Sequence, residues 1–544
     1  MNRKFIIHNI KIPLDSRRED GYELAAMDKA RRIISKSPFF SGMGKANLGI
    51  FKRSVDARDK NAIKLVFSVF FGYSDEFCAA NTMDAERLSA ICSKENIVVS
   101  SDDGFKIPEF SGNKRPIVCG FGPCGMFAAL ILARSGACPI VLERGADADE
   151  RVKIVGKYWK SGELSEQTNV QFGEGGAGTF SDGKLMTRIN DPLCSYVLEV
   201  MAKHGADADI LVNAKPHVGT DKLRNIVKSI RNEIISLGGE VYFNCALTSL
   251  ELSGNGKSVK IGINGERASL ETDALFLAVG HSARDTFAML AKSGVEMCAK
   301  PFSVGVRIEH LQKNIDSALY GKFASHKALS RGEYALSCRI GERAAYTFCM
   351  CPGGTVVASA SEKESIVTNG MSYSARDGLN ANSAVAVSVS VEDFGNNPFA
   401  AMEFQANIEK TAYKAAGSDG SAPIQTVGGF FGKTNGEPTE VVPTYTGKTK
   451  ITPMTDVFPY FVTDTLLAGL RNFNGKIQGF ACDSAVLTAP ETRTSSPVKL
   501  PRGEDRRAIG APCIYTCGEG AGYAGGITSA AVDGIRSALA FLGV

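Results

Sequence analysis

The hydrophobic and polar positions divide this chain into two rhythms. Up to about residue 112 the pattern is that of a small mixed unit. Phe5 to Pro13 reads as a strand, and Tyr22 to Ile34 has helical spacing, with Leu24, Met27, Ala30, Ile33 and Ile34 on one face. Leu48 to Val55 and Ile63 to Phe71 read as strands, the second through the alternation of Ile63, Leu65, Phe67, Val69 and Phe71. Met83 to Cys92 reads as helix and Ile97 to Ser100 as strand. The order β-α-β-β-α-β predicts a ferredoxin-like split βαβ unit. Polar Ser101 to Lys114 is the expected linker.

From Arg115 the pattern turns α/β. Strand 116–119, helix 123–135 and strand 139–143 make one βαβ half. Leu223 to Leu237 is a helix stopped by Gly238-Gly239, and Val241 to Phe243 is the next strand. Residues 247–274 run in short alternating stretches broken by glycines, as a small β-meander would, and Ala274 to Val279 is an apolar strand ending at Gly280-His281. Residues 297–485 mix β-like runs (304–308, 346–351, 355–359, 384–391) with one clear helix, Phe399 to Ala415, and with long polar loops at 361–383 and 416–450. Near the end, the short strand Cys513 to Thr516 leads into a glycine-rich turn and a helix from Ile527 to Leu542.

A chain of 544 residues holds about two to four such cores. Net charge is +4, from 62 basic and 58 acidic residues, too balanced to make nucleic acid or a membrane surface the main partner. The start is basic but soon polar, and no apolar run reaches the roughly 18 residues a membrane span needs. The 14 cysteines are scattered and read as reduced thiols of a cytoplasmic protein. Cys349 and Cys351 flank Met350, and Cys513 and Cys517 are four apart; both pairs read as small buried side chains on strands, and no metal site is expected.

The chemistry lies in two glycine turns about 400 residues apart. Gly120-Phe121-Gly122-Pro123-Cys124-Gly125 follows the first α/β strand. Its first Gly permits the tight turn, its second lets a pyrophosphate reach the backbone, and its third lets helix lie on strand. Pro123 suits the first helical turn, and the helix N-terminus attracts a diphosphate. Glu143 ends the second strand, 23 residues after Gly120, where a carboxylate meets ribose hydroxyls; Arg144 follows it. Gly173 to Gly178 fits the same spacing but follows polar Gln167 to Gln171, so it is not a second turn of this kind. The other turn, Gly518 to Gly526, carries Glu519 for a sugar-alcohol hydroxyl and the Gly525-Gly526 pair, against which a flat ring can lie. Two such turns suggest one long flavin cofactor held at both ends.

Five segments, Gly120–Gly125, Glu143–Gly145, Phe172–Leu185, Leu277–His281 and Gly518–Gly526, together resemble the FAD-dependent oxidoreductases with a glutathione-reductase-like Rossmann domain. Within them the chain is most similar to a bacterial group of NAD(P)/FAD-dependent dehydrogenases. The resemblance implies that Gly175, Gly176, Gly178, Thr179 and Phe180 line the pyrophosphate and flavin. It implies that Leu247 meets adenine through its backbone and that Gly280 sits near the adenosine. Glu519, Gly525, Gly526 and Ile527 would then hold the ribitol and ring, although wider relatives carry Asp where this chain has Glu519.

The expected architecture is an N-terminal ferredoxin-like domain (1–112) and an FAD-binding Rossmann domain in two parts (113–296 and 486–544). A mixed α+β substrate or cap domain (297–485) is inserted between those parts. The expected function is an FAD-dependent dehydrogenase or reductase passing hydride between flavin N5 and a small-molecule substrate, with NAD(P)H docking transiently or a redox partner protein as donor. A flavin-dependent RNA-modification or partner-binding protein, recruiting through Arg31, Arg32, Lys36, Lys45, Lys52 and Arg53, and a non-catalytic flavin protein are the alternatives. Cys119 and Cys124 sit inside the phosphate turn, where a bridge would distort it, which argues against a disulfide reductase built on that pair. His217, His281, His310, Asp182, Lys184, Arg307, Glu309 and Arg493 are the side chains considered for substrate chemistry, with no catalytic residue assigned.

Overall fold

The computed structural model describes residues 4–37, 40, 47–72, 92–93, 97–100, 105–254, 256–264 and 269–544. The helix expected over Met83–Cys92 falls almost wholly outside them, as does Lys45 of the basic cluster. The chain is mixed α/β and forms two compact units, residues 1–106 with 207–216 and 316–332, and the remainder.

In the first unit, β1 (Lys4–Pro13), β2 (Asn47–Asp56), β3 (Lys64–Gly72) and β4 (Ile97–Ser100) form an antiparallel sheet in the order β2-β3-β1-β4. Helix α1 (Tyr22–Lys36) packs on it through Tyr22, Ala26, Ala30 and Ile34, with Leu24 63% exposed. Ala30 and Ile34 of the expected stripe are buried and Met27 and Ile33 pack at its margin, so only Leu24 falls outside it. Tyr22 and Ala26 take the inward positions at its start, and the Tyr22 hydroxyl donates to the Arg18 carbonyl at 2.6 Å in the turn before the helix. Two later segments complete this unit. Arg53 exchanges backbone hydrogen bonds with Val212 and Ala214, and Tyr320 and Phe323 enter the core.

The second unit contains a six-stranded sheet. Strands β5 (Ile117–Cys119), β6 (Ile140–Leu142), β7 (Glu240–Tyr242), β8 (Leu275–Leu277) and β13 (Ala511–Thr516) run parallel in the order β13-β8-β5-β6-β7, with Arg507–Ala508 as an antiparallel edge. They are short, apolar and mostly buried, as strands covered on both faces must be. Helix α2 (Pro123–Arg134) follows β5, and helix α4 (Ile527–Phe541) packs beside it after β13. Leu247–Ser253, Ser258–Ile263 and Ser269–Thr272 form the expected three-stranded meander. Cys119, Leu277 and Thr516 are register partners, so the loops after β5, β8 and β13 leave one sheet edge side by side.

The insert builds a seven-stranded sheet around β9 (Phe302–Leu311), β10 (Arg343–Cys351), β11 (Asn380–Val389) and β12 (Val486–Glu491), with helix α3 (Pro398–Ala415) near β12. Here two expectations are corrected. Strand β12 lies between β9 and Ala422–Thr426, so the insert runs past residue 485. The region 361–383 is not all loop, because Thr368–Met371 pairs with Thr355–Ala358, and Ala422–Thr426 likewise interrupts 416–450. The expected linker also ends early. Phe110 stacks on Phe541 at 5.4 Å, within the second unit.

Candidate functional site

The first turn is built by contact between backbones. Gly120 has φ +99°, and its N–H donates to the Leu142 carbonyl at 2.8 Å. A side chain there would collide with the Ala278 carbonyl, and one at Gly125 with the Gly120 carbonyl. Gly122 is different. It is the N-cap of α2 at φ −75°, and a Cβ on it would meet nothing nearer than Gly176 Cα at 3.6 Å. Pro123 opens the helix, and no side chain caps it. The first-turn N–H groups of Cys124 and Gly125 have no partner inside the helix. Cys124 itself is buried, and its hydrogen bond with the Cys517 thiol, together with burial, pushes its pKa well up.

Glu143 is 4% exposed and does more than the sequence suggests. One oxygen accepts the Phe121 N–H at 2.8 Å, and the other accepts the Gly145 and Gly173 N–H groups, each at 2.9 Å. The carboxylate thus ties three loops, while Oε2, with one protein donor, keeps a lone pair for a hydroxyl. Arg144 turns elsewhere. It pairs with Asp285 at 2.8 Å and covers the Phe172 ring at 4.4 Å. Leu247 lies in the core at the start of the meander, two residues after Cys245, whose N–H donates to the Glu143 carbonyl at 2.8 Å.

The polar loop after residue 167 docks on the first turn. The Gly175 N–H donates to the Phe121 carbonyl at 2.9 Å, Gly176 faces Gly122, and Gly178 faces Ile527. The Thr179 carbonyl accepts the Thr220 hydroxyl at 2.5 Å. The Phe180 ring is 1% exposed, edge-on to Trp159 and beneath the guanidinium groups of Arg151 and Arg224. Arg151 organises the loop by donating to the carbonyls of Asn169, Val170, Glu174 and Gly176 at 2.7–2.9 Å. Sequence reasoning missed it, because an arginine that caps loop carbonyls carries no local signal.

The distant second turn meets the first. Gly518, φ +79°, lies so close to Cys124 that a Cβ would stand 2.8 Å from the cysteine's own, and its N–H donates to Asp533 at 2.7 Å. Gly520 packs on Gly280. Gly525 and Gly526 are exposed with open space beside them, and Ile527 starts α4 against Gly178. The fold therefore brings Gly120–Gly125, Gly175–Gly178, Gly280 and Gly518–Ile527 together, and sets Arg144 and the side chain of Leu247 apart from them.

Among the remaining candidates, several are spent on the fold. His310 Nε2 bonds the Phe480 carbonyl, and burial pushes its pKa to about 4. His217 bonds the Ser374 carbonyl at 3.2 Å and is pushed down by burial. Arg307 pairs with Glu491 at 2.8 Å, Glu309 accepts from Thr444 and Asn380, and Asp182 pairs with Arg376. Lys184 donates to the Met350 carbonyl. Arg493 and Arg284 both clamp Glu409 of α3, at 2.8 and 2.9 Å, a fully buried carboxylate that the sequence did not single out.

Two groups remain near the second turn. His281 is 9% exposed, and burial together with Arg493, Arg284 and Lys300 pushes it to about 3, so it is neutral at pH 7. Its Nε2 lies 3.8 Å from Glu519 Oε1. Burial lifts Glu519 to about 7, against the Gly526 amide and Lys300, which favour its charge. A carboxyl raised from 4.5 in the unfolded chain costs stability as pH climbs through 7 and costs nothing below 4.5. In cofactor-free protein, Glu519→Gln is expected to raise unfolding free energy at pH 8 by about 1–2 kcal/mol, discounted for partial exposure, with no gain at pH 4. Urea melts at both pH values measure this, and equal effects at the two would rule out the raised carboxyl.

The family described as FAD-dependent protein, C-terminal domain-like, matches residues 301–494. An uncharacterized protein of Clostridium beijerinckii is 46% identical over 541 residues, covering 98% of this chain and 97% of its own. Among solved structures, halogenase PltM aligns with TM-score 0.35 and 11% identity, covering 79% of this chain and 68% of PltM. CtdE in complex with FAD aligns with TM-score 0.30 and 10% identity, covering 79% of this chain and 84% of CtdE. The cofactor is FAD, and the chain is an FAD-dependent flavoprotein. Its residues fit that group, with an uncapped α2 start under an open Gly122, a spare acceptor on Glu143, and uncrowded glycines at 525–526. Among the described residues, no helix is long and apolar enough to cross a membrane.

Proposed function

The chain belongs to the same family as the Clostridium beijerinckii protein, and from that premise we propose that it is an FAD-dependent oxidoreductase of the NAD(P)/FAD-dependent dehydrogenase type. It would exchange a hydride with a small-molecule substrate, on a Rossmann-type parallel sheet with a ferredoxin-like N-terminal unit. The observation that carries this reading is the meeting of the two glycine turns at Cys124 and Gly518. Bound FAD supplies reversible two-electron chemistry at its ring.

The chain's own residues supply the rest. The α2 N-terminus and Gly122 take the pyrophosphate, and Glu143 takes a ribose hydroxyl through Oε2. The Gly525–Gly526 backbone and the start of α4 support the ring. Glu519, lifted to about 7, holds or releases a proton at Oε1, with neutral His281 3.8 Å away as a polar neighbour rather than an acid. The purified protein should be yellow, release FAD on denaturation, and bleach under anaerobic titration with NADH or NADPH. Colourless protein that also takes up no added FAD would sink the reading, and absence of bleaching with both nucleotides would shift the donor to a redox protein.

A further inference from the structure

We propose that Cys349 and Cys351 form a thiol–disulfide exchange site, in which Cys349 attacks a small-molecule disulfide and Cys351 resolves the adduct. Sequence reading took both as small side chains buried on a strand. Only Cys351 is: it is fully buried, whereas Cys349 is half-buried at the end of β10. The strand is irregular at this point. Its register with β11 shifts between Phe348 and Cys351, and Cys349 adopts φ +45°, a conformation that a non-glycine residue rarely adopts. Such strain persists where surrounding contacts hold it, and here they are specific. Fully buried Arg307 donates through Nη2 to the Cys349 carbonyl and approaches Cys351 Sγ at 3.4 Å, while Glu491 and Asn382 fix the rest of its guanidinium.

A second tether fixes the pair's place. Lys184 donates to the Met350 carbonyl between the two cysteines, and the next residue's carbonyl, Leu185, accepts the Thr528 hydroxyl at 2.8 Å in the first turn of α4. The thiols therefore stand next to the loop and helix start that the oxidoreductase reading gives to the flavin. The groups that face Cys349 are Cys351, Arg307 and Lys184, which favour its thiolate, and Asp182, which opposes it. Glu491 and Glu519 also feel its charge. The Cys351 thiol and the two cations prevail over burial and Asp182, so Cys349 ionises below the usual thiol range and Cys351 well above it. That asymmetry suits an attacking thiolate and a sheltered resolving thiol.

The exchange balances without the cofactor. Cys349 thiolate attacks one sulfur of R–S–S–R, forming a Cys349–S–S–R bond and releasing RS⁻. Cys351 then loses its proton and attacks the Cys349 sulfur, forming the Cys349–Cys351 disulfide and releasing the second thiolate. The external disulfide gains two electrons and two protons and leaves as two thiols, and the protein dithiol is oxidised by the same two electrons.

The test uses full-length protein, reduced, desalted and treated with glutathione disulfide, followed by peptide mapping. The expected product is a 349–351 peptide lighter by two hydrogens. Cys351→Ser should instead trap glutathione on Cys349, and Cys349→Ser should leave Cys351 unmodified. In untreated wild-type protein, iodoacetamide at pH 7 should label Cys349 at least about tenfold faster than exposed Cys298. Cys298 labelled as fast as Cys349, or glutathione found on Cys298 with the 349–351 dithiol intact, overturns the proposal. Because these readouts need no flavin, a failure here leaves the FAD assignment standing, and loss of FAD leaves this test valid.

Discussion

Gly122→Ala is expected to weaken FAD binding on the order of 30- to 100-fold while leaving the fold intact, about 2–3 kcal/mol of charge-assisted contact between the α2 N-terminus and the pyrophosphate. The position is chosen for what surrounds it. At Gly120 and Gly125 any side chain would strike a carbonyl of the chain itself, so loss of FAD there would report only a broken turn. Gly122 has φ −75° and ψ −177°, which alanine adopts freely, and a Cβ would meet Gly176 Cα no closer than 3.6 Å. The protein tolerates the methyl group, whereas a phosphate approaching the first-turn amides does not. Equilibrium dialysis of FAD against stripped protein measures the loss, and thermal melts of the same preparations measure the fold. Gly156→Ala, on a helix face with open space, is the control and should leave FAD affinity unchanged. Wild-type affinity in Gly122→Ala would mean that the pyrophosphate lies elsewhere.

The turns were legible because each is a local pattern, a buried strand running into glycine and then a helix. Their meeting was legible only as an inference from having two of them. What makes them meet, the side-by-side ends of β5, β8 and β13, joins residues up to about 400 apart and leaves no local trace. The same reason hid the end of the insert. Val486–Glu491 reads as an ordinary apolar run, and only its pairing with β9, nearly 180 residues earlier, puts it in the insert's sheet. On α1 the expected stripe holds at Ala30 and Ile34, but Tyr22 and Ala26 take the inward positions at its start and leave Leu24 in solvent. Period alone gives a helix its length and leaves the margin of its stripe to the packing around it.

Polar residues fared worse than apolar ones, again for a physical reason. Arg151, Arg307 and Glu409 are each fully buried, and each is stable there only because its partners come from distant segments. Read singly, each is one more charged residue that belongs in water. Glu143 was located by its place after a strand, yet its three amide donors come from three loops that spacing could not relate. Cys349 was misread because Phe348-Cys349-Met350-Cys351 looks like a continuous buried strand, and a bulge with positive φ is set by the neighbouring strands.

Glu409→Ala is expected to lower unfolding free energy at pH 7 by about 3–5 kcal/mol, as the loss of one partner from a buried ion pair does. Glu409 is the shared acceptor for Arg284 and Arg493 and also takes the Thr492 hydroxyl at 2.7 Å. Without it the two guanidinium groups face each other in a dry interior, with only Glu362, 33% exposed, to balance them. Burial alone would raise its pKa, but Arg493 and Arg284 outweigh burial and hold it at about 2. A depressed carboxylate contributes stability that is present above its unfolded value near 4.5 and is lost as pH falls through 2. The gap between wild type and variant should therefore narrow steadily on acidification from pH 5 to 2, as the wild type loses what the variant never had. Glu362→Ala, which removes only the half-exposed contact to Arg284, should cost under about 1 kcal/mol. Urea titrations of the three proteins across that range decide the matter. A Glu409→Ala gap below about 1 kcal/mol at pH 7, or one that does not shrink in acid, would mean that the two arginines are solvated in solution and that this cluster does not tie α3 to the Arg284–Lys292 helix.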